Sequence, residues 1–156
     1  LLLARLVGET GRVWAFDIQK QALDATKGRL KAAGADKQVV LVCDSHERLA
    51  DYIKEPLDAA VFNFGYLPGG DKNITTCAES SIAALGLLTE GSILAVVIYG
   101  GHPAGAQESA AVQEWAAALP QERFAVLRYA FANQRNSPPV LLAVEKISKQ
   151  KQGTQS

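Results

Sequence analysis

The chain alternates between strand-like and helix-like segments, and this alternation limits the folds it can adopt more than any other feature. Short runs rich in β-branched and aromatic residues are followed by longer runs with apolar residues at helical spacing, which is the pattern of βαβ units. Such units build a mostly parallel sheet with helices on both faces, so the sequence predicts an α/β fold. The predicted strands cover residues 12–17, 38–44, 58–65, 92–101, 123–132 and 138–147, and the predicted helices cover residues 19–34, 45–54, 74–91 and 106–119.

The last two predicted strands have no helix between them, only the segment NQRNSPP. We therefore expect them to pair antiparallel at one edge of the sheet. Since no repeat or linker divides the chain, we predict one domain over residues 1–147, followed by a polar tail over residues 148–156.

Composition excludes several classes of function. The chain has 16 basic and 16 acidic residues, so no overall positive charge attracts nucleic acid, and an RNA partner requires a local basic patch. The two cysteines and two histidines lack zinc-ligand spacing, so we expect no metal site and predict that Cys43 and Cys77 are buried free thiols. No apolar run is long enough to span a membrane and no signal peptide opens the chain, so the cytoplasm is the expected compartment.

Polar and ionisable residues stand at the ends of successive predicted strands, where open α/β sheets bind their ligands. Asp17 ends the first strand, and its carboxylate can accept both hydroxyls of a ribose, in NAD or in S-adenosylmethionine; alternatively, it caps the following helix. After the second strand, Asp44 can accept the exocyclic amine of an adenine, while Ser45 caps the next helix or contacts the same ligand. A neutral His46 can stack on a nucleoside or hydrogen-bond to it, or it lies on the surface.

The segment FNFGYLPGGDK (62–72) joins a strand end to a loop that carries more chemistry than a plain connection needs. Asn63 can hold an acceptor amine near an electrophile, and Tyr66 offers a flat face on which a base can stack. Asp71 and Lys72 can bind a charged group of the substrate, or they form an ion pair that stabilises the loop.

Two further segments place polar residues at the same predicted edge of the sheet. His102 lies between glycines and a proline just after a strand, where it can contact substrate or transfer a proton. The connection between the last two strands contains Asn133 and Arg135, and the Arg135 guanidinium can hold a phosphate. A solvated loop is the alternative for this connection.

Five stretches occur in an order that resembles the YtqB/MnmM family: AFDIQKQAL, CDSHE, FNFGYLPGGDK, YGGHPAGAQE and FANQRNSPP. Members of that family are class I methyltransferases with a Rossmann-like sheet, and they use S-adenosylmethionine. They are described as rRNA methylases and are assigned to methylation of the aminomethyl group on the wobble uridine of tRNA. The resemblance therefore implies S-adenosylmethionine as cofactor and RNA, in particular a tRNA anticodon loop, as partner.

Together with the residue chemistry above, the resemblance implies a role for each candidate residue. The cofactor would be bound by Asp17, Gln19, Asp44, Ser45 and His46. The methyl group and its acceptor would be aligned by Asn63, Tyr66 and Asp71. The substrate would be contacted by Lys72, His102, Asn133 and Arg135.

One part of the family pattern is missing from the sequence. The family begins with a strand and a glycine-rich turn of the type DATxGNGxDT, whereas LLLARLVGETG resembles the helix that follows this turn. We therefore expect a sheet without its first strand, with a hydrophobic gap that promotes a homodimer. Three alternatives stay open at this point: an NAD-dependent oxidoreductase, a methyltransferase of small molecules and a non-catalytic binding module.

Overall fold

The computed structural model describes residues 1–64, 78–101 and 103–148. The chain divides into two compact units, Leu1–Ile53 and Lys54–Ser156. The first unit contains α1 (Leu2–Leu6), β1 (Val13–Phe16), α2 (Lys20–Ala32), β2 (Val39–Val42), a 3₁₀ helix (His46–Arg48) and α3 (Leu49–Tyr52). The second unit contains β3 (Leu57–Phe64), α4 (Ala78–Leu87), β4 (Leu88–Ile98), α5 (Pro103–Ala117), β5 (Phe124–Tyr129) and β6 (Val140–Lys146). The single domain over residues 1–147 stays a prediction.

In the first unit, β1 and β2 form a two-stranded parallel sheet, and α2 connects them as the alternating pattern predicts. Phe16 at the end of β1 pairs with Val42 at the end of β2, so both strands finish at the same edge. Leu30 of α2 packs with Ala4 and Ala35 in a small core, against which Val39 and Leu41 of β2 are partly buried.

The end of α2 shows why glycine is required after the helix. Gly34 adopts a φ of 64°, a conformation that residues with a Cβ rarely adopt. Its N–H donates to the Lys31 carbonyl at 3.1 Å, and the Ala35 N–H donates to the Leu30 carbonyl at 3.0 Å. These are the two hydrogen bonds of a Schellman motif, in which glycine is the usual residue after the helix.

In the second unit, four strands form a sheet in the order β3-β4-β6-β5. β3 and β4 are parallel, whereas β6 runs antiparallel to both of its neighbours, β4 and β5. The predicted antiparallel pairing of the last two strands is therefore confirmed, with β5 at the outside edge. Because β3, β4 and β5 run in the same direction, their carboxyl ends meet at one edge of this sheet.

The two faces of the four-stranded sheet differ in burial. On one face Leu94, Val96 and Val144 are at most 1% exposed, and α4 and α5 contact this side of the unit through buried residues such as Val112. The other face carries exposed apolar side chains, namely Val61, Ile93, Leu127 and Tyr129. The core of the second unit thus lies between the sheet and the two helices.

The junction between α4 and β4 lies earlier than the sequence predicts. The predicted helix runs to Gly91, but α4 ends at Leu87 and β4 begins at Leu88. Leu88 pairs with Leu57 of β3, and the register then shifts before Ala59 pairs with Ile93. The apolar helical spacing continues past Leu87, but pairing in the sheet satisfies the backbone instead, so the prediction is wrong for these residues.

The predicted helix over residues 45–54 is also shorter and less regular than expected. It consists of the 3₁₀ helix followed by the single turn of α3, and Ile53 is already extended with a ψ of 112°. The Arg48 N–H donates to the Ser45 carbonyl at 3.0 Å, which is the i to i+3 bond of a 3₁₀ turn. Pro56 follows closely and cannot continue a helix.

Substituting Gly91 by alanine is expected to lower the free energy of unfolding by about 1–2 kcal/mol, because its φ of 83° is unfavourable for a residue with a Cβ. No heavy atom would meet the added Cβ, so only backbone conformation contributes. The matched control is Gly86→Ala in the exposed last turn of α4, where alanine should raise stability by up to about 1 kcal/mol. Urea unfolding measures both values, and equal responses of the two glycines would contradict the explanation.

Candidate functional site

The parallel pairing of β1 and β2 brings the predicted cofactor-binding residues of the first unit to one edge. The Asp17 N–H donates to the Val42 carbonyl at 3.1 Å, which joins the two strand ends directly. The side chains gathered at this edge are those of Asp17, Gln19, Asp44, Ser45 and His46. The carboxyl ends of parallel strands are where α/β sheets bind nucleotides, so the position suits the predicted role.

Asp17 keeps one carboxylate oxygen available for a ligand. Its Oδ1 accepts the Gln19 N–H at 2.8 Å, whereas its Oδ2 has no hydrogen-bond partner in the part of the chain that the structure describes. The side chain is half-buried, so it is held in place and still reachable. The N-cap of α2 is Gln19 and has no side-chain cap bond, so Asp17 does not cap the helix directly. A fixed carboxylate with a free oxygen can accept vicinal ribose hydroxyls.

Asp44, in contrast, has both carboxylate oxygens occupied. Its Oδ1 accepts the Ser45 N–H at 2.8 Å, and its Oδ2 accepts the Tyr52 hydroxyl at 2.6 Å and the Arg48 guanidinium at 3.0 Å. Arg48 also donates to Asp51 at 3.0 Å. Asp44 thus connects the turn after β2 to α3, and its contact with an adenine stays a prediction.

Ser45 acts as the cap that the sequence predicts. Its Oγ accepts the Glu47 N–H at 3.3 Å at the start of the 3₁₀ helix. His46 is the first residue of that helix and is half-buried. Both residues follow β2 at the edge where β1 also ends, a position that suits contact with a nucleoside.

The hydrogen bond between Asp44 and Tyr52 shifts the pKa of both groups. The Tyr52 hydroxyl, then the Ser45 N–H, lower the pKa of Asp44 below its usual 3.8 by stabilising the carboxylate. The same bond to Asp44 raises the pKa of Tyr52 above its usual 10.0. Asp44 therefore contributes stability above about pH 4 that is lost as the pH falls through its lowered pKa. Tyr52 contributes stability below about pH 10 that is lost as the pH rises through its raised pKa.

Tyr52→Phe is expected to reduce slightly the loss of stability at both acid and alkaline pH, because it removes the hydrogen bond that lowers the pKa of Asp44 and raises the pKa of Tyr52. The control is Tyr129→Phe, since the Tyr129 hydroxyl has no hydrogen-bond partner within the described ranges. The midpoint of urea unfolding, measured from pH 3 to pH 11, gives the profile. Identical profiles for Tyr52→Phe and the wild type would contradict this assignment.

Tyr52 and Arg48 were not predicted as part of this site. A signal for both is present in the sequence, because Arg48 and Tyr52 follow Asp44 by four and eight residues, on one side of a helical path. The ring of Tyr52 also packs edge-on against Phe16, with 5.7 Å between ring centroids. This contact holds the end of α3 against the end of β1.

In the second unit, Asn63 lies one residue before the end of β3. It occupies a row of paired residues that continues through Val97 and Leu141 to Tyr129. Its side chain is exposed and has no hydrogen-bond partner in the described residues. The amide is therefore free to bind a ligand at the carboxyl edge of this sheet.

The remaining predicted residues divide into two groups. Asn133 and Arg135 are exposed in the connection between β5 and β6, at the same edge as the end of β3. The residues that lie outside the described ranges are Tyr66, Asp71, Lys72 and His102. Their predicted roles stay predictions.

A set of residues that the sequence reasoning missed lines an open groove of about 340 Å³ in the second unit. Arg128 of β5 donates from Nε to the Gln113 Oε1 at 2.8 Å. Gln113 of α5 in turn donates to the Oγ and the carbonyl of Ser109, at 2.9 and 3.1 Å. The available signal is that Arg128 is a charged residue within an otherwise apolar strand.

The prediction that Cys43 is a buried thiol is wrong. Cys43 is exposed, whereas we expected a buried thiol. β2 ends at Val42, so Cys43 lies just beyond the sheet. Its side chain is therefore not placed in the core by the alternation of a strand. Cys77 lies outside the described residues.

The described residues, 1–64, 78–101 and 103–148, offer no candidate for a metal site or a membrane span. In those ranges, no three His, Cys, Asp or Glu side chains come together in a group that could hold a metal ion. Among the described helices, none is long and apolar enough to cross a membrane.

The chain is similar to a known protein family and to a named plant protein. The profile of a family described as "Putative rRNA methylase" matches residues 13–145. The chain is 33% identical over 141 residues to an Arabidopsis thaliana protein named tRNA (mnm(5)s(2)U34)-methyltransferase, chloroplastic. The match covers 85% of this chain and 52% of that protein, so the chain spans about half the length of this relative.

Solved structures resemble the chain over nearly its whole length. A Clostridium thermocellum structure with the same description as the family is 44% identical, with a TM-score of 0.86, and the match covers 93% of this chain and 80% of that one. A Streptococcus mutans protein in complex with SAH is 36% identical, with a TM-score of 0.77, and the match covers 87% and 76% of the two chains. These similarities confirm the predicted fold class.

Proposed function

Because the chain belongs to the rRNA methylase family, we propose that it is an enzyme that transfers a methyl group from S-adenosylmethionine to an amine of an RNA nucleoside. The similarity to YtqB/MnmM proteins predicted from the sequence is confirmed at the level of this family. The observation that carries the proposal is the half-buried Asp17 carboxylate, which has an oxygen without a partner in the described residues and follows β1 at the edge where the parallel strand β2 also ends.

The residues at this edge fit S-adenosylmethionine. Asp17 would accept the ribose hydroxyls with its free oxygen, and Gln19 lies beside it in the same turn. Ser45 and His46 would border the adenosine, and Asp44 would hold their turn in place through its bond to Ser45. A relative of 36% identity is in complex with SAH, the demethylated form of this cofactor. When bound, the cofactor supplies an electrophilic methyl group on a sulfonium.

The residues predicted to align the acceptor would hold its amine in place. An amine reacts in its neutral form, so the protein needs to hold and desolvate it rather than supply a strong base. The exposed Asn63 amide, free of described partners, can accept an N–H of that amine and orient its lone pair. Tyr66 and Asp71 would help in this alignment, and Lys72, His102, Asn133 and Arg135 would contact the RNA.

We propose the aminomethyl group of a tRNA wobble uridine as the acceptor. The support is the name of the Arabidopsis relative, which specifies U34 of tRNA. A balanced overall charge suits a small target such as the anticodon loop, because long duplexes require many phosphate contacts. A homodimer is part of the proposal, since Val61, Leu127 and Tyr129 expose apolar surface on one face of the sheet.

The substrate can be tested by mass spectrometry of nucleosides from two tRNA preparations. One carries the aminomethyl group on the wobble uridine and the other has an unmodified uridine at that position. We expect a gain of one methyl group only in the first preparation. A methyl group on another nucleoside would overturn the wobble assignment, and no methyl group on either would count against RNA as the substrate.

The cofactor can be tested separately, because Asp17 could equally hold the ribose of NAD. We expect S-adenosylhomocysteine to raise the melting temperature of the protein in a thermal-shift experiment, since a ligand that binds the folded state stabilises it. NAD should have no effect. Stabilisation by NAD and none by S-adenosylhomocysteine would make the protein an oxidoreductase instead.

A further inference from the structure

The groove between α5 and β5, defined by Ser109, Gln113, Arg128, Phe131, Ser137 and Pro138, has a built polar wall. Ser109 is 9% exposed and accepts a hydrogen bond from Gln113, which fixes the orientation of the Gln113 amide. The amide oxygen then accepts the Arg128 Nε–H at 2.8 Å. This chain of bonds orients the guanidinium before any ligand arrives, which reduces the entropy that binding would cost.

Arg128 is held in this way without being neutralised. Its only described hydrogen bond uses Nε, so in the described residues Nη1 and Nη2 have no partner. No carboxylate forms an ion pair with it in those same ranges. A guanidinium with two free N–H₂ groups presents a fork that matches a phosphate or carboxylate. The groove therefore offers a fixed anion-binding group.

An aromatic ring stands in the wall of the same groove. Phe131 is 48% exposed and lies just beyond the end of β5, with Tyr129 packed edge-on to it at 6.4 Å between centroids. An exposed aromatic ring beside an arginine is the combination with which proteins bind unpaired nucleotides, because every base has a face that can stack. The volume of about 340 Å³ lies in the lower range for small-ligand pockets.

Two residues at the rim of the groove have backbone in the left-handed region. Asn136 and Ser137 both have positive φ, 66° and 49°, although neither is glycine. Asparagine adopts this region readily, whereas for Ser137 such backbone costs of order 1 kcal/mol or more, and such residues are concentrated at binding sites. The groove also lies at the carboxyl edge, where β3 with Asn63 and β4 end.

From these observations we propose that the groove binds one unpaired nucleotide of the RNA substrate, with its phosphate on Arg128 and its base on Phe131. This nucleotide is a neighbour of the one that is methylated, so the inference rests on the proposed function. Gln113 is a positioning residue that acts through Arg128. Unpaired RNA fits better than a duplex, because a stacked base inside a duplex has no free face.

The test compares Arg128→Gln with Arg123→Gln by fluorescence anisotropy of a labelled anticodon stem-loop RNA. Arg123 is the matched control, since it is exposed, has the same charge and stands at the opposite end of β5. We expect Arg128→Gln to raise the Kd roughly tenfold, and Arg123→Gln to change it less than twofold. The slope of log Kd against log salt should fall by roughly 0.7 for Arg128→Gln alone, as expected for the loss of one phosphate contact to a single strand.

Three further variants keep the proposal falsifiable if Arg128→Gln disturbs folding. Phe131→Leu retains apolar volume but removes the ring, and should raise the Kd for the stem-loop about fivefold with an unchanged salt slope. Gln113→Leu should weaken binding about threefold, while Arg128→Lys should restore part of the salt slope lost in Arg128→Gln. Equal Kd values for the Arg128, Phe131 and Arg123 variants would overturn the groove as an RNA site.

The binding experiment separates this inference from the proposed function. A wild type that binds the stem-loop through Arg128 but transfers no methyl group would retain the groove and overturn the function. If the wild type methylates RNA and the Arg128→Gln variant does so with the same KM for RNA, the proposed function stands and the groove is overturned as an RNA site. Displacement of the RNA by a short acidic peptide at equal concentration would show a general anion site and overturn the assignment to a nucleotide.

Discussion

Replacing Asn63 by alanine is expected to lower kcat for methyl transfer to RNA about a hundredfold, while the Kd for cofactor changes less than about twofold. The amide is the exposed polar group at the end of β3, and it has no other hydrogen-bond partner in the described residues. Misplacing an acceptor by about 1 Å can cost a hundredfold in rate, because the reacting atoms must be held close together and aligned. Single-turnover kinetics with saturating RNA measures the chemical step.

The backbone around Asn63 makes this variant informative. The neighbouring side chains Phe62 and Phe64 stack at 5.1 Å between ring centroids on the other face of the strand, so the fold does not depend on the amide. The control is Asp58→Asn, at the opposite end of β3, which also alters an exposed polar side chain. Asn63→Gln retains the amide but moves it by one methylene group, and should give an intermediate rate. Activity of Asn63→Ala within about threefold of the wild type would show that Asn63 does not position the acceptor.

Replacing Asp17 by alanine is expected to raise the Kd for S-adenosylhomocysteine about a hundredfold. Hydrogen bonds to a charged group contribute about 1.5–3 kcal/mol each, and tenfold in Kd corresponds to about 1.4 kcal/mol. Asp17→Asn keeps the size of the side chain and the Oδ1 acceptor for the Gln19 N–H, so it should lose about tenfold. Isothermal titration calorimetry measures these values directly.

Asp24→Asn is the matched control, because it removes an exposed carboxylate from α2 in the same unit. Its Kd should equal that of the wild type. If Asp17→Ala bound S-adenosylhomocysteine within about threefold of the wild type, the ribose would be held elsewhere and the assignment of this edge would be wrong.

The order of strands and helices could be predicted from the sequence because it depends on local periodicity. Helical spacing over residues 19–34 and the apolar run over 38–44 predicted α2 and β2 to within two residues at each end. The positive φ of Gly34 follows the end of the helix. The short NQRNSPP segment predicted the antiparallel pair at the sheet edge for a similar reason, since it leaves no room for a helix. Local chemistry alone decides such features.

The start of β4 could not be predicted in the same way. Its first residue, Leu88, continues the apolar pattern of α4, and only pairing with Leu57 of another strand makes it extended. Periodicity cannot distinguish a short apolar run in a helix from one in a strand, whereas tertiary pairing does. The exposure of Cys43 has a similar cause, since it depends on where β2 ends.

The candidate site was predictable by position but not by its hydrogen bonds. The rule that polar residues follow strand ends identified Asp17, Asp44 and Asn63. That Asp44 is bound by Tyr52 and Arg48, while Asp17 keeps a free oxygen, depends on side-chain geometry across several turns. The groove residues Arg128 and Gln113 lie on a strand and a helix that meet only in the folded unit.

Methyl transfer is the measurement that tests the central claim most directly. The protein is incubated with S-adenosylmethionine labelled in its methyl group and with bulk small RNA, and the acid-precipitable label is counted before and after RNase treatment. We predict that label is incorporated into acid-precipitable material and that RNase releases it. The rate of incorporation should fall about a hundredfold in Asn63→Ala. Label that resists RNase, or none above the level of a reaction without protein, would contradict an RNA methyltransferase.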